Sequence, residues 1–449
     1  GSIVGFNGGI SLTNTVIHYP ANAQITNGNI TDTSGTIIKT EVKIIPTYNL
    51  WICGVQLNDA NKDSLAVIPG VTGTVSYNPV TKILRLENST ITPPSSNAYA
   101  IRSEINGLTI NVVSNNTINS NGWSAVRLEA VSSIEGTGTF TINNPANDIA
   151  IYAKETSLTI KNCTINAIAG GRGISGKDNV GTLTIQNATV TAKGINNGSI
   201  TQFANIILDS CAISEPVWGR VSKGSNNFNA VRDSTGNIIK DTVKIIPATV
   251  YNLLICEVPV TSLNKDSLSL IPGVTGTVNY NPNTKTLTLN GTTMSTTGQI
   301  CCILSKIDSM IIEVIGSNTL TGNLNSPIAY EDNNSGIIQG NGTLNVINSS
   351  VNNEAIYMRN GSLTIKNCTL NAICPKYGIF GSSGTKTLTI ENATVSALGT
   401  SHGSIKGFKQ MNLNNCAIVE PAFARFNTTQ KAICDTLSNV IKDTVKIVP

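Results

Sequence analysis

Apolar and polar positions along this chain alternate in short bursts, and almost no window repeats apolar residues at the helical spacing of three and four. The phrase Leu-Thr-Ile begins at Leu108, Leu158, Leu183, Leu363 and Leu388, with variants at Phe140, Leu287 and Met411. In an extended strand its two apolar ends face one way and the threonine the other. Each phrase precedes a short Asn-rich step and another apolar residue, and Leu363, Leu388 and Met411 follow one another at 25 and 23 residues. A period in that range marks a solenoid or array. Strands of two or three residues between Gly and Asn turns suit the coils of a parallel β-helix, where each coil pairs only with its neighbours. A slip of one residue would expose every apolar side chain, so the register is enforced. The expected hand is right, from the bias of parallel crossovers.

A longer period contains the short one. SLTIKNCTINA at Ser157 returns as SLTIKNCTLNA at Ser362, 205 positions on. Tyr48 to Ile91 aligns without a gap to Tyr251 to Met294, identical at 27 of 44 positions. KDTVKIIP ends at Pro247 and KDTVKIVP at Pro449, while IIKTEVKIIP ends at Pro46. The expected organisation is therefore a C-terminal remnant of a preceding repeat over residues 1–46, then β-helix units over 47–247 and 248–449. On this reading the chain is a fragment of a longer array.

Sections flanking each ladder read as hairpins. GTVSYNPVTKILRL and GTVNYNPNTKTLTL place two strands around an Asn-Pro turn, and AVRDSTGNIIKDTVKI places two around a Gly-containing turn. Solenoid ends expose strand edges, which hairpin caps would cover. Within the ladder, Cys163, Ala188 and Cys211 hold equivalent places, as do Cys368, Ala393 and Cys416. An Ala rung then separates the cysteines by roughly 9–10 Å, beyond disulfide reach. They are expected as buried free thiols behaving as small hydrophobes. Cys301, Cys302, Cys374 and Cys434 are peculiar to the second unit, and their redox state stays open.

Composition agrees with an all-β chain: charged residues are 12% and aromatics 5%, with β-branched and turn-forming residues filling the rest. The net charge of +4 comes without a basic cluster, so no nucleic-acid partner is expected. No apolar run approaches the ~20 residues of a membrane span.

Candidate chemistry can be tested by comparing the copies. A glycosidase needs two carboxylates across the scissile bond, and a Ca²⁺-dependent lyase needs a carboxylate cluster and a base. Yet Glu135 becomes Gln339, Asp209 becomes Asn414 and Glu104 becomes Lys306. His18 and His402 stand where the first unit has Ser214 and Asn197. The carboxylates kept in both copies are Asp63 with Asp266, Glu215 with Glu420, and Asp241 with Asp443, each alone beside Lys or Pro in a turn or hairpin. No catalytic residue, metal site or cofactor is expected, since CxxC, HExxH, EF-hand and phosphate-loop patterns are all missing. Asn-x-Ser/Thr triplets at Asn88, Asn162, Asn187, Asn367 and Asn392 recur because the ladder recurs.

Such a solenoid would present a grid of hydroxyls and amides at ~4.8 Å intervals. That grid could hydrogen-bond a polysaccharide or a protein, with aromatics such as Trp51, Trp123 or Trp218 stacking on sugar rings. Tyr152 in AIYAK and Tyr357 in AIYMR share one rung and are the candidate ligand-binding residues.

YNLWICGVQL, GVTGTVSYNPVTKILRLENSTI, LTIKNCTINA, LTIQNATVTAKG and CAISEP resemble a family of large secreted repeat proteins of gut Bacteroidales, described as adhesin-like or carbohydrate-binding surface proteins. The resemblance implies an exported protein of a bacterial cell surface and brings no catalytic residues. The favoured reading is a non-enzymatic adhesin or glycan-binding array, monomeric, whose partner is a polysaccharide or host glycoprotein. A β-helical polysaccharide lyase or glycoside hydrolase and a passive surface stalk are the alternatives.

Overall fold

The structure is a computed structural model that describes residues 3–225, 227–233, 235–296 and 301–449. It divides into two compact units, Gly1–Ala248 and Thr249–Pro449. Each is a parallel β-solenoid in which one coil contributes a strand to each of three faces. Apart from strands, the described residues contain only two short 3₁₀ turns, Leu65–Val67 and Leu268–Leu270.

In unit 1 a short sheet stacks Ile101–Ser103, Val126–Leu128, Ile149–Ala153, Arg172–Ser175 and Gly198–Thr201 in parallel. A second face stacks Leu108–Val113, Ser132–Gly136, Leu158–Lys161, Thr182–Gln186 and Asn205–Asp209. The third carries Asn115–Asn119, Thr139–Asn144, Thr164–Ala169 and Thr189–Gly194. The Leu-Thr-Ile phrases at Leu108, Leu158 and Leu183 thus lie on one row, with Ser132 between the first two. Phe140 belongs to the third face, where it stacks between Asn116 and Ile165. Unit 2 repeats the plan, its second face running Met310, Gly336, Leu363, Leu388 and Met411.

Inward positions form continuous apolar rows: Ile110, Ile134, Ile160 and Ile185 have no exposed surface. Full burial of each such side chain stabilises the fold by roughly 1.5–3 kcal/mol. Cys163 and Cys211 are buried and free, and burial, outweighing a backbone hydrogen bond, pushes the Cys163 thiol up to about 12. The corners between faces turn on asparagine. Asn162, Asn187, Asn367 and Asn392 sit at φ of 55°, 44°, 57° and 46°, a left-handed conformation that asparagine tolerates better than branched residues. Successive corners are bonded, Asn187 Nδ2 donating to Asn162 Oδ1 at 3.1 Å and Asn415 Nδ2 to Asn392 Oδ1 at 3.1 Å. The Asn-x-Thr triplets are therefore corner-and-strand steps.

Antiparallel strands close the ends. Val71–Asn78 folds back on Ile83–Ile91, which then starts two faces at once by pairing with Leu108–Val113 and Asn115–Asn119. At the far end Val243–Pro247 pairs antiparallel with both Thr189–Gly194 and Cys211–Glu215. The three closing phrases adopt one geometry: Val16 opposes Ile45, Ala212 opposes Ile246 and Ala417 opposes Val448. The hairpin expected from Ala230 forms as a short one, Arg232 bridging antiparallel to Ile238 and the Ile239 N–H donating to the Val231 carbonyl at 3.1 Å. Asn229–Arg232 takes Arg220–Lys223 as its strand partner, and the Gly-containing turn is closed by an Asp233 N–H to Asn237 carbonyl bond of 2.9 Å. Ser234 of that turn lies outside the described residues.

One core position differs instructively between units. Tyr330 replaces Leu128 and is fully buried, its hydroxyl without a partner among the described residues. Gly336 replaces Ser132 and makes room, because a Cβ there would lie 2.4 Å from the Tyr330 ring. An unpaired buried hydroxyl is destabilising. Tyr330→Phe should therefore stabilise unit 2 by about 1 kcal/mol, while Gly336→Ser should destabilise it, both read from urea unfolding midpoints. A lower midpoint for Tyr330→Phe would contradict the assignment.

Candidate functional site

The outward row of the short sheet carries both tyrosines singled out in the sequence. In unit 1 the register sets Gln56, Trp51, Arg102, Arg127, Tyr152 and Ser175 side by side. In unit 2 the corresponding row is Pro259, Leu254, Leu304, Ala329, Tyr357 and Phe380. Tyr152 and Tyr357 share a rung, but their surroundings have opposite character.

In unit 1 cations cover the rings. The Arg102 guanidinium lies 4.5 Å from the Trp51 ring centre, and that of Arg127 lies 5.1 Å from Tyr99 and 5.7 Å from Tyr152. Arg127 Nη1 also donates to the Tyr99 hydroxyl at 2.8 Å. Glu129 gathers the cations: its Oε1 accepts from Arg102 Nε at 2.8 Å and Arg127 Nε at 2.9 Å, its Oε2 from Lys154 at 3.2 Å. Arg102 pairs with Glu104 besides. Burial alone would raise the Glu129 carboxyl, but the bonds from Arg102, Arg127 and Lys154 outweigh it and hold it at about 2. Trp123, tilted against Tyr99 at 5.2 Å, keeps a largely open ring, 48% exposed.

In unit 2 the cations are gone from the row and aromatics extend it. Phe380 stacks on Tyr357 with ring centres 6.3 Å apart and planes 15° apart, and Tyr377 stacks on Phe380 at 4.3 Å and 14°. His402 tilts against Tyr377 at 5.4 Å. Where unit 1 has Arg127 beside its tyrosine, unit 2 has Ala329, and a groove of about 410 Å³ opens there. Cys301, Leu304, Ala329, Tyr357 and Phe380 form its apolar lining. Asn325, Ser326, Asn353, Glu331, Glu354 and Lys376 supply its polar groups. The volume falls within the usual range of small-ligand sites. Glu354, in the place of Ile149, is buried and held by Lys376 at 3.1 Å and by the Ser326 hydroxyl at 3.2 Å. Lys376 also donates to the Asn352 carbonyl at 2.6 Å.

The carboxylates kept in both copies each serve a local contact. Asp63 lies 3.0 Å from Lys62, Asp241 lies 2.9 Å from Lys193, and Glu215 and Glu420 each lie 3.9 Å from Lys244 and Lys446. Among the described residues no group of three or more His, Cys, Asp or Glu could hold a metal ion, and no helix is long and apolar enough to cross a membrane. Phe380, Tyr377 and the Glu354–Lys376 pair escaped the sequence reading because each is peculiar to unit 2. Setting YGIF at Tyr377 beside RGIS at Arg172 would have exposed them. Compared with known protein families, curated proteins and solved structures, the chain matches none.

The Glu129 cluster sets a pH dependence. A carboxyl depressed in the folded state stabilises it above the unfolded value, and that contribution is lost as pH falls through the folded value. Unit 1 should therefore lose on the order of 2 kcal/mol between about pH 4.5 and pH 2. Glu129→Gln should be less stable at pH 7 and should flatten this part of the profile, measured by urea unfolding at a series of pH values. An unchanged acid limb in the variant would remove Glu129 as its source.

Proposed function

We propose that the protein is a non-catalytic glycan-binding module of a secreted or cell-surface bacterial repeat protein, and that its binding site is the groove of unit 2. The observation that carries this reading is the Tyr357–Phe380–Tyr377 stack beside a groove lined by amides and hydroxyls. Sugar rings present C–H faces to aromatic rings and hydroxyls to amides, which is the complement of this lining. A neutral polysaccharide suits it, since Glu354 and Lys376 already satisfy each other. At Tyr152 in unit 1, Arg127 stands where Ala329 leaves room, its guanidinium 5.7 Å from the Tyr152 ring centre.

One observation favours a second reading, a polysaccharide-cleaving enzyme: Glu331, Glu354 and Lys376 line the same groove. Against it, Glu354 is engaged by Lys376 and Ser326 and buried.

The test is binding of the full chain to plant, host and bacterial glycans, with product analysis in the same wells. Tyr357→Ala and Phe380→Ala should each weaken binding by about tenfold, the scale of one lost aromatic contact. Ala329→Arg, which copies unit 1, should close the groove and abolish binding, whereas Tyr152→Ala should change affinity by no more than about twofold. Cleaved products would establish the enzyme instead, and binding to nothing would leave a surface stalk.

A further inference from the structure

Unit 2 brings together two thiols where unit 1 has one. Its leading hairpin turns at Cys256, directly after the strand Val250–Ile255, and Cys302 directly precedes the first rung of the short sheet, Ile303–Ser305. Ile255 and Ile303 are antiparallel partners, so the cysteines are the next opposed residues. The Cys256 N–H donates to the Cys302 carbonyl at 3.0 Å. Opposed residues of a hydrogen-bonded antiparallel pair stand ~5.5 Å apart at Cα, within the ~4.4–6.8 Å that a disulfide spans. The two thiols hydrogen-bond each other. Unit 1 has the same backbone bond, Cys53 N–H to the Ala100 carbonyl at 3.0 Å, but no second sulfur.

We propose that Cys256 and Cys302 form a disulfide tying the leading hairpin of unit 2 to its first rung, beside the groove that Cys301 and Leu304 line. One S–S bond forms as two S–H bonds break. The two electrons and two protons pass to a small-molecule disulfide such as oxidised glutathione, whose own S–S bond is cleaved to two thiols. Cys256 is only half-buried and meets the oxidant, while Cys302 is fully buried and closes the bond. The hydrogen bond from Cys256 outweighs burial and lowers the Cys302 thiol, with help from the Thr296 side chain. In this register Cys301 falls opposite Glu257 rather than Cys256, so it is not placed to compete. The link does not depend on the glycan-binding reading.

The full chain, incubated with oxidised glutathione and then denatured, alkylated and digested, should yield the Cys256 peptide joined to the Cys302 peptide. Cys53 should be recovered alkylated. Oxidation should raise the melting temperature of unit 2 by roughly 5–10 °C, because the link closes a long loop. Cys302→Ala, the residue that unit 1 carries, should fold and lose that rise. Separate alkylated Cys256 and Cys302 peptides after oxidation would overturn the proposal, as would linkage of either residue to Cys301. An equal rise in the Cys302→Ala chain would overturn it too.

Discussion

Backbone hydrogen bonds between successive coils constrain everything else in this protein. A rung can satisfy its N–H and C=O groups only through the rungs beside it, so the coils are locked in register at ~4.8 Å. Each side chain therefore belongs to a row, and the row's chemistry is fixed by one residue per coil. Inward rows are mainly apolar, which gives the Ile110–Ile134–Ile160–Ile185 stack. Corners must adopt left-handed backbone, which gives the bonded asparagines at 162, 187, 392 and 415. At the ends no further rung exists, and antiparallel strands such as Val71–Asn78 and Val243–Pro247 take up the open edges.

The same constraint leaves outward rows free to change. The short-sheet row holds Trp51, Arg102, Arg127 and Tyr152 in unit 1 and Leu254, Leu304, Ala329 and Tyr357 in unit 2. Removing one partner of the Arg–Glu129 cluster would strand a partly buried charge, but replacing the set with apolar residues need not destabilise. Unit 2 carries Leu254, Leu304 and Ala329 on that row and keeps a glutamate, Glu331, engaged by Lys306 at 3.7 Å. Inside, the change of Leu128 to Tyr330 is accommodated by Ser132 becoming Gly336. Substitutions along a row are local because each rung touches only its neighbours.

How much of this was legible follows from what each residue type signals alone. Strand periodicity, the parallel coils, the end hairpins and the buried thiols of Cys163, Cys211 and Cys368 could be read from spacing, because spacing is what the rung constraint dictates. Cys416, on the last rung, is only half-buried. Asparagine was legible only in part. Asn162 and Asn187 are the turn residues they resemble, but Asn116, Asn144, Asn318 and Asn348 are inside. Asn116 accepts from the Ser89 N–H at 3.0 Å and donates to the Val113 carbonyl at 2.9 Å, with Asn318 making the matching bonds to Thr292 and Ile315. No local pattern separates an amide that satisfies a buried corner from one facing water. The rung shared by Tyr152 and Tyr357 was also legible, but not what lies beside it. That depends on residues one coil away, 23 positions on for Phe380 beside Tyr357, where no helical or strand periodicity links them.

The comparison of two copies cuts in two directions. Searching for carboxylates shared by both finds exposed residues in local contacts with lysine, such as Asp63 with Lys62 or Glu215 with Lys244. A specialised site lies instead where the copies part company together. In unit 2 Ala329, Glu354, Lys376, Tyr377 and Phe380 replace Arg127, Ile149, Gly171, Arg172 and Ser175, all on adjacent rungs of one face. Independent drift would scatter such changes over the surface, and an acidic residue buried without its lysine would destabilise the coil. Glu354 and Lys376 meet as a pair, and Lys376 lies 5.5 Å from the Tyr377 ring centre. Tyr357 and Phe380 stay partly exposed beside a satisfied ion pair, a feature that folding alone does not require.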